Sequence, residues 1–213
     1  MDVSKNNSFP FSNKLSSHLR KRAWLDDESL WQEFQSGDMD AYAFLYHTYS
    51  PTLYSYGRHL GGTHEQVKDS IQELFELLWN KKHKLSRVTF IRQYLIKSYR
   101  RMLLRTITQE RKKHTDSFSP DFRIVPSTET NLIQQEISSE QQAKLIEAMN
   151  LLSVQQREAL YLKFYQNLSY PDIAAAMKIS IARVYNLISR AIHRMKTLLN
   201  SIWYLLILSL GII

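Results

Sequence analysis

The chain has 213 residues, 44% of them hydrophobic, enough for one or two packed domains. It contains no cysteine, which excludes disulfides, cysteine-ligated zinc and thiol catalysis and fits a reducing, cytoplasmic setting. A formal charge of +8 and a pI near 9.6 point to a polyanionic partner, nucleic acid first and an anionic membrane second.

Residues 1–24 carry no continuous apolar core, so no secretory signal is expected, and they read as a flexible N-terminal segment. With five Gly and five Pro, little of the chain can be tight turn, and the apolar periodicity is helical throughout. Residues 25–113 read as a domain of three or four helices. Within it Val67, Ile71, Leu74, Phe75 and Leu78 form one apolar stripe, preceded by a capping box of Thr63 and Gln66. From Arg87 to Lys113 there are nine bases against one acid, Glu110, with Phe90, Tyr94 and Tyr99 interleaved. Rings beside cations suit unpaired bases, because a ring stacks on a base while a cation meets the phosphate. A solvated basic face over core aromatics has the same pattern.

Residues 114–137 lose the periodicity and contain Pro120 and Pro126, which marks a linker. Residues 138–200 read as four short helices, and Ser153 with Gln156 repeats the capping box. Ser169 caps the next helix, with Asp172 placed to complete its box and Pro171 in the first turn, where a missing N–H costs no intrahelical bond. After Met177 a three-residue turn leads to Ser180, which caps a last helix. Val184, Leu187, Ile188, Ala191 and Met195 form its buried stripe; Arg183, Tyr185, Asn186, Ser189, Arg190 and Arg194 lie opposite. This is the pattern of a helix-turn-helix whose second helix enters the major groove. Arg and Asn are the side chains that make bidentate contacts to guanine and adenine. An ordinary helical hairpin is the bland alternative; the basic outer face weighs against it.

The order and spacing of three stretches resemble a bacterial RNA polymerase sigma factor of the two-domain, extracytoplasmic-function group, over about residues 27–200. "DSIQELFELLW" (69–79) is similar to the family's polymerase-binding helix, which implies core-polymerase contacts by Asp69, Gln72, Glu73, Phe75 and Trp79. "FIRQYLIKSYRRMLLR" (90–105) stands where the family reads the downstream promoter element, which implies DNA contacts by Arg92, Tyr94, Lys97, Tyr99, Arg100, Arg101 and Arg105. Residues 151–196 resemble the domain that reads the upstream element, which implies contacts by Lys178, Ser180, Arg183, Tyr185, Asn186, Ser189, Arg190 and Arg194. Tyr94 stands where the family often has Trp, and Arg101 where Asn is usual, which bears on promoter melting. Lys178 replaces a common Gly, which tests whether that turn needs a left-handed residue.

The fold class expected is therefore all-α, two small helical domains joined by a linker, the C-terminal one a helix-turn-helix. The function expected is that of a sigma factor binding core RNA polymerase and promoter DNA, with an anti-sigma factor as a candidate further partner and no cofactor or metal. The alternative is a helix-turn-helix regulator that acts without polymerase. Enzymatic motifs fail: Gly57 and Gly62 have phosphate-loop spacing, but Thr63-His64 follows where Lys-Ser/Thr is required. The apolar tail 201–213 includes twelve residues that as a helix would reach about 18 Å, short of a hydrocarbon core of roughly 30 Å, so membrane insertion is not expected. Docking to a partner and cover for the chain's own apolar surface both remain open for it.

Overall fold

The computed structural model describes residues 26–112, 122–123 and 146–198. The N-terminal segment 1–24, most of the linker 114–137 and the tail 201–213 lie outside the described residues. Among those described there is no strand.

Four helices form the first half. α1 spans Asp27–Ser36, α2 Met39–His59, α3 His64–Lys81 and α4 Ile91–Lys112, with a 3₁₀ turn at Lys82–Lys84. Their ends follow local chemistry. Asp26 accepts a bond from Ser29 N at 2.7 Å to start α1, and Gly37 ends it at a φ of 97°. Asp38 caps α2, and the expected box of Thr63 and Gln66 forms reciprocally at α3. The start of α4 is held from a distance: Asp27, in the first turn of α1, accepts Ile91 N at 2.9 Å. Trp31 Nε1 and Gln35 Nε2 donate to the carbonyls of Ser86 and Leu85, so α1 ties down the segment that leads into α4.

The core of this half is rich in rings. Trp31, Phe34, Tyr56, Phe75 and Tyr99 are all buried, with Leu45, Leu53, Leu74, Leu95 and Leu103 between them. α2 and α4 cross closely at Gly57, where an added Cβ would run into the Tyr99 hydroxyl and Val67. A glycine inside a helix costs about 1 kcal/mol against alanine, a cost this close approach explains.

The second half begins with helical residues 146–150. α5 spans Val154–Leu160 and continues into a π-helical turn, Tyr161–Tyr165; α6 spans Tyr170–Met177 and α7 Ile181–Leu198. The box of Ser153 and Gln156 forms as the sequence predicts. At α6 only half of it does: Ser169 Oγ accepts Asp172 N at 3.3 Å, but the Asp172 carboxylate accepts a hydrogen bond from the Ser169 hydroxyl instead of reaching back to the backbone. Asp is one methylene shorter than the Glu such a box uses. α7 packs on both α5 and α6, and α6 also packs on α4 of the first half.

Candidate nucleic-acid and polymerase interfaces

α6, the turn at 178–180 and α7 make a helix-turn-helix. Lys178 sits in the left-handed region at φ 56°, ψ 46°, so the turn does require that conformation and a lysine adopts it at a cost of about 1–2 kcal/mol. Ser180 Oγ accepts Arg183 N at 3.2 Å and starts α7. Val184, Ile188, Ala191 and Met195 are buried and Leu187 is half-buried, as the stripe predicts. Lys178, Ser180, Arg183, Tyr185, Asn186, Ser189, Arg190 and Arg194 are all exposed. One face of α7 therefore offers cations and hydrogen-bonding groups along its length.

Two side chains on this face are already positioned. The Tyr185 ring stacks on Tyr170 at 3.9 Å and 8°, and Lys163 Nζ lies 4.9 Å from the Tyr170 ring centroid. Arg183 Nη2 donates to Gln155 Oε1 at 3.0 Å, an exposed contact that water can replace.

α4 differs from the pattern its charges suggest. Arg92, Lys97, Arg101 and Arg105 are exposed, and the last three recur every fourth residue as a single basic stripe. Tyr94 is half-buried, its ring 5.2 Å from Trp31. Two of the residues expected to touch DNA are not on the surface. Tyr99 is fully buried beneath Gly57, and burial drives its hydroxyl well above the ordinary range. Its helical phase, i+4 from Leu95 and i−4 from Leu103, makes it a core residue.

Arg100 is the second correction. Its guanidinium donates from Nε to Glu158 Oε1 at 2.6 Å and from Nη2 to Glu158 Oε2 at 2.9 Å. The side chains are 14% and 5% exposed, so this bidentate pair is inside the molecule, between α4 and α5. Tyr56 Oη donates to the same carboxylate at 2.7 Å. Burial works against the Arg100 charge, but the bonds and charge of Glu158 override it and hold the guanidinium above its usual value. Burial, with the Glu158 charge, raises the Tyr56 hydroxyl well above its usual range.

Phe122 and Arg123 complete this junction. The Phe122 ring is 2% exposed and lies 5.4 Å from His59, nearly parallel, and 5.4 Å from Tyr161. Arg123 N donates to His59 O at 2.7 Å, and His59 Nδ1 donates to Arg123 O at 2.7 Å, which fixes the imidazole as the Nδ1–H form. A segment expected to be a plain linker thus seats one aromatic residue between the two halves.

On α3, Asp69, Gln72 and Glu73 are exposed. Phe75 is not on that surface; it is 1% exposed and packs against Tyr42 and Tyr46, which corrects its expected place on a docking face. Trp79 is half-buried against Phe34 and Tyr42, with Lys82 Nζ 4.0 Å over its ring. Glu76 and Leu77, which the sequence reading passed over, share the exposed face with Asp69, Gln72 and Glu73, and Leu77 is an apolar residue 41% exposed there. Their spacing of i+3 and i+4 from Glu73 is the signal that could have found them.

No cluster of His, Asp and Glu among the described residues could hold a metal ion, and no helix among them is long and apolar enough to cross a membrane.

Residues 142–195 match the family described as Sigma-70, region 4. The chain is also similar to solved structures, among them these two. One is CnrH in complex with the cytosolic domain of CnrY, at 20% identity and a TM-score of 0.53, covering 82% of this chain and 97% of that one. The other is the sigma factor RpoE in complex with the anti-sigma factor NepR from Bartonella quintana, at 24% identity and a TM-score of 0.51, covering 72% of this chain and 93% of that one. At these identities the likeness is one of fold. No curated protein sequence matches the chain.

Proposed function

We infer that this chain, which carries a sigma-70 region 4 domain over residues 142–195, is a sigma factor of the extracytoplasmic-function group that recruits core RNA polymerase to promoters. The observation that carries the reading is the helix-turn-helix inside that region, whose α7 leaves its entire Arg- and Asn-bearing face exposed. The upstream promoter element meets Arg183, Asn186 and Arg190 in the major groove, with Lys178, Ser180, Tyr185, Ser189 and Arg194 at its edges. The basic stripe Lys97, Arg101 and Arg105, with Arg92 and Tyr94 toward the start of α4, meets the downstream element. Asp69, Gln72, Glu73, Glu76 and Leu77 form the polymerase-docking face, an apolar contact rimmed by charge. The protein works in the cytoplasm, performs no covalent chemistry, and is held in check by an anti-sigma partner.

The test is co-purification of tagged chain with core polymerase, comparing wild type with Gln72→Ala and Leu77→Ala, whose exposed positions spare the fold. Truncating an anchor at an interface costs about 2 kcal/mol or more, roughly thirtyfold in affinity. Recovery of polymerase that is equal for all three forms would remove α3 from the interface.

A further inference from the structure

Beside its cations, α7 exposes an apolar strip. Ile181 is 45% exposed and Tyr185 53%, and Ala182 between them is exposed as well. At i, i+1 and i+4 these three lie on one side of the first turns. Arg183, Asn186 and Arg190, at i, i+3 and i+7, lie on the other. The first turns of a recognition helix are the part that reaches base edges. Tyr185 and Asn186 are neighbours there, so a duplex that meets the polar strip meets the apolar one too.

The Tyr185 ring is held in place before any DNA arrives. It stacks on Tyr170, at the start of α6, with centroids 3.9 Å apart and planes 8° from parallel. Lys163 Nζ, from the π-helical turn, lies 4.9 Å from the Tyr170 centroid and adds a cation to the same ring. The row from Lys163 through Tyr170 to Tyr185 thus links three elements of the helix-turn-helix half. A ring fixed in this way loses little further freedom when it binds. More than half of Tyr185 is still open to a partner. Ile181 and Ala182 carry no side-chain donor or acceptor, so the strip recognises shape and apolar surface. In the major groove the group that fits it is the 5-methyl of thymine; the remaining base edges are donors and acceptors.

We propose that Tyr185, with Ile181 and Ala182 beside it, reads thymine 5-methyl groups in the upstream element, and that Tyr170 is the positioning residue that sets the Tyr185 ring for this contact. This rests on the promoter-binding reading above. The two strips divide the work. Arg183 and Asn186 recognise purines by hydrogen bonds, and the apolar strip recognises an adjoining thymine by packing on its methyl. Exchange of thymine for uracil isolates that contact, because uracil keeps every hydrogen-bonding edge and lacks only the methyl.

The experiment uses core polymerase loaded with the full chain. The complex first selects its upstream element from a randomised duplex library. Each thymine of the selected element is then exchanged singly for deoxyuridine, and affinity is read by competition. For the wild-type chain, at least one exchange is expected to lower affinity about fourfold, the weight of one buried methyl group. Tyr185→Ala, at an exposed position, should abolish that penalty while the Arg183-dependent position stays intact. Tyr170→Phe keeps the stacked ring and should keep the penalty. Tyr170→Leu keeps apolar bulk without the stack and should reduce it, with circular dichroism verifying that both variants fold. Tolerance of deoxyuridine at every upstream thymine by the wild-type chain would overturn methyl reading, and so would a penalty that persists in Tyr185→Ala. A full penalty in folded Tyr170→Leu would remove Tyr170 as the positioning residue. Failure of the loaded polymerase to enrich any upstream sequence would instead overturn the promoter-binding reading, and methyl reading with it.

Discussion

α4 and α7 are both long, basic helices, and charge alone would assign them the same task. They differ in what the rest of the chain does to them. α7 buries Val184, Ile188, Ala191 and Met195 and leaves its opposite face open. α4 buries a core stripe as well, but it then loses Arg100 to a carboxylate 58 residues further along the chain. A run of cations states which side chains can meet a phosphate. Whether they are free to do so is decided by the element packed on the other side.

Neighbouring arginines provide the sharpest contrast. Arg100→Ala leaves the buried Glu158 carboxylate without its charged partner and is expected to cost about 3–5 kcal/mol of stability. Arg101→Ala, one position on and exposed, is expected to stay within about 0.5 kcal/mol. Urea unfolding of both variants measures the difference; equal effects would mean that the Arg100–Glu158 pair does not order the junction.

The next contrast separates the helices by their DNA. Arg183→Ala on α7 is expected to cost about 1–3 kcal/mol at the upstream element and relax one base position. Replacing Lys97, Arg101 and Arg105 together on α4 should instead lower the salt dependence of single-strand binding by roughly 0.7 per charge removed, with no change in base preference. Footprints and salt titrations of polymerase loaded with each variant distinguish the two outcomes. Upstream protection that survives replacement of Arg183, Asn186 and Arg190 would remove α7 from promoter reading.

How much of this was legible follows from the range of the forces involved. Helix starts depend on residues three apart, so Thr63 with Gln66 and Ser153 with Gln156 could be read directly, and both boxes form. The same holds for the helix-turn-helix, where the stripe, the turn and the exposed face all repeat within thirty residues. Phe75 and Tyr99 were misplaced because aromatic rings among charges fit either a core or a binding face. Their phase with Leu78 and with Leu95 and Leu103 carries the answer. The junction could not be read, since Arg100, Glu158, Phe122 and His59 are brought together only by the fold. One hint was available: Glu158 is an acid followed by Ala159 and Leu160 and in phase with Leu162, on the apolar side of its helix.

A smaller effect belongs to the turn that separates α7 from its partner helix. Lys178→Gly relieves the left-handed conformation and is expected to stabilise the helix-turn-helix half by about 1 kcal/mol, visible as a raised thermal midpoint. A lowered midpoint would show that the Lys178 side chain contributes more than its backbone costs.

The smallest concerns His59 at the junction. Burial holds its imidazole below the ordinary histidine range, against the bond to Arg123, so the unfolded chain binds the proton more readily than the folded one. Stability contributed by neutral His59 is therefore full above a pH of about 6.5 and is lost as pH falls below it. Thermal unfolding at pH 7.5 and 5.5 should show a drop for wild type that is smaller for His59→Gln. An equal drop in the two proteins would assign the acid sensitivity to other groups.

The central claim is that α3 and α7 act together, one on polymerase and the other on the promoter. It is tested most directly by transcription from a genomic promoter library with core polymerase and purified chain. The account predicts transcripts that appear only with the chain, share an upstream element, shift in that element with Arg183→Ala, and disappear with a Gln72→Ala, Leu77→Ala double variant that still binds duplex DNA. Duplex binding by the wild-type chain with no chain-dependent transcript would contradict it and leave a helix-turn-helix protein that acts without polymerase.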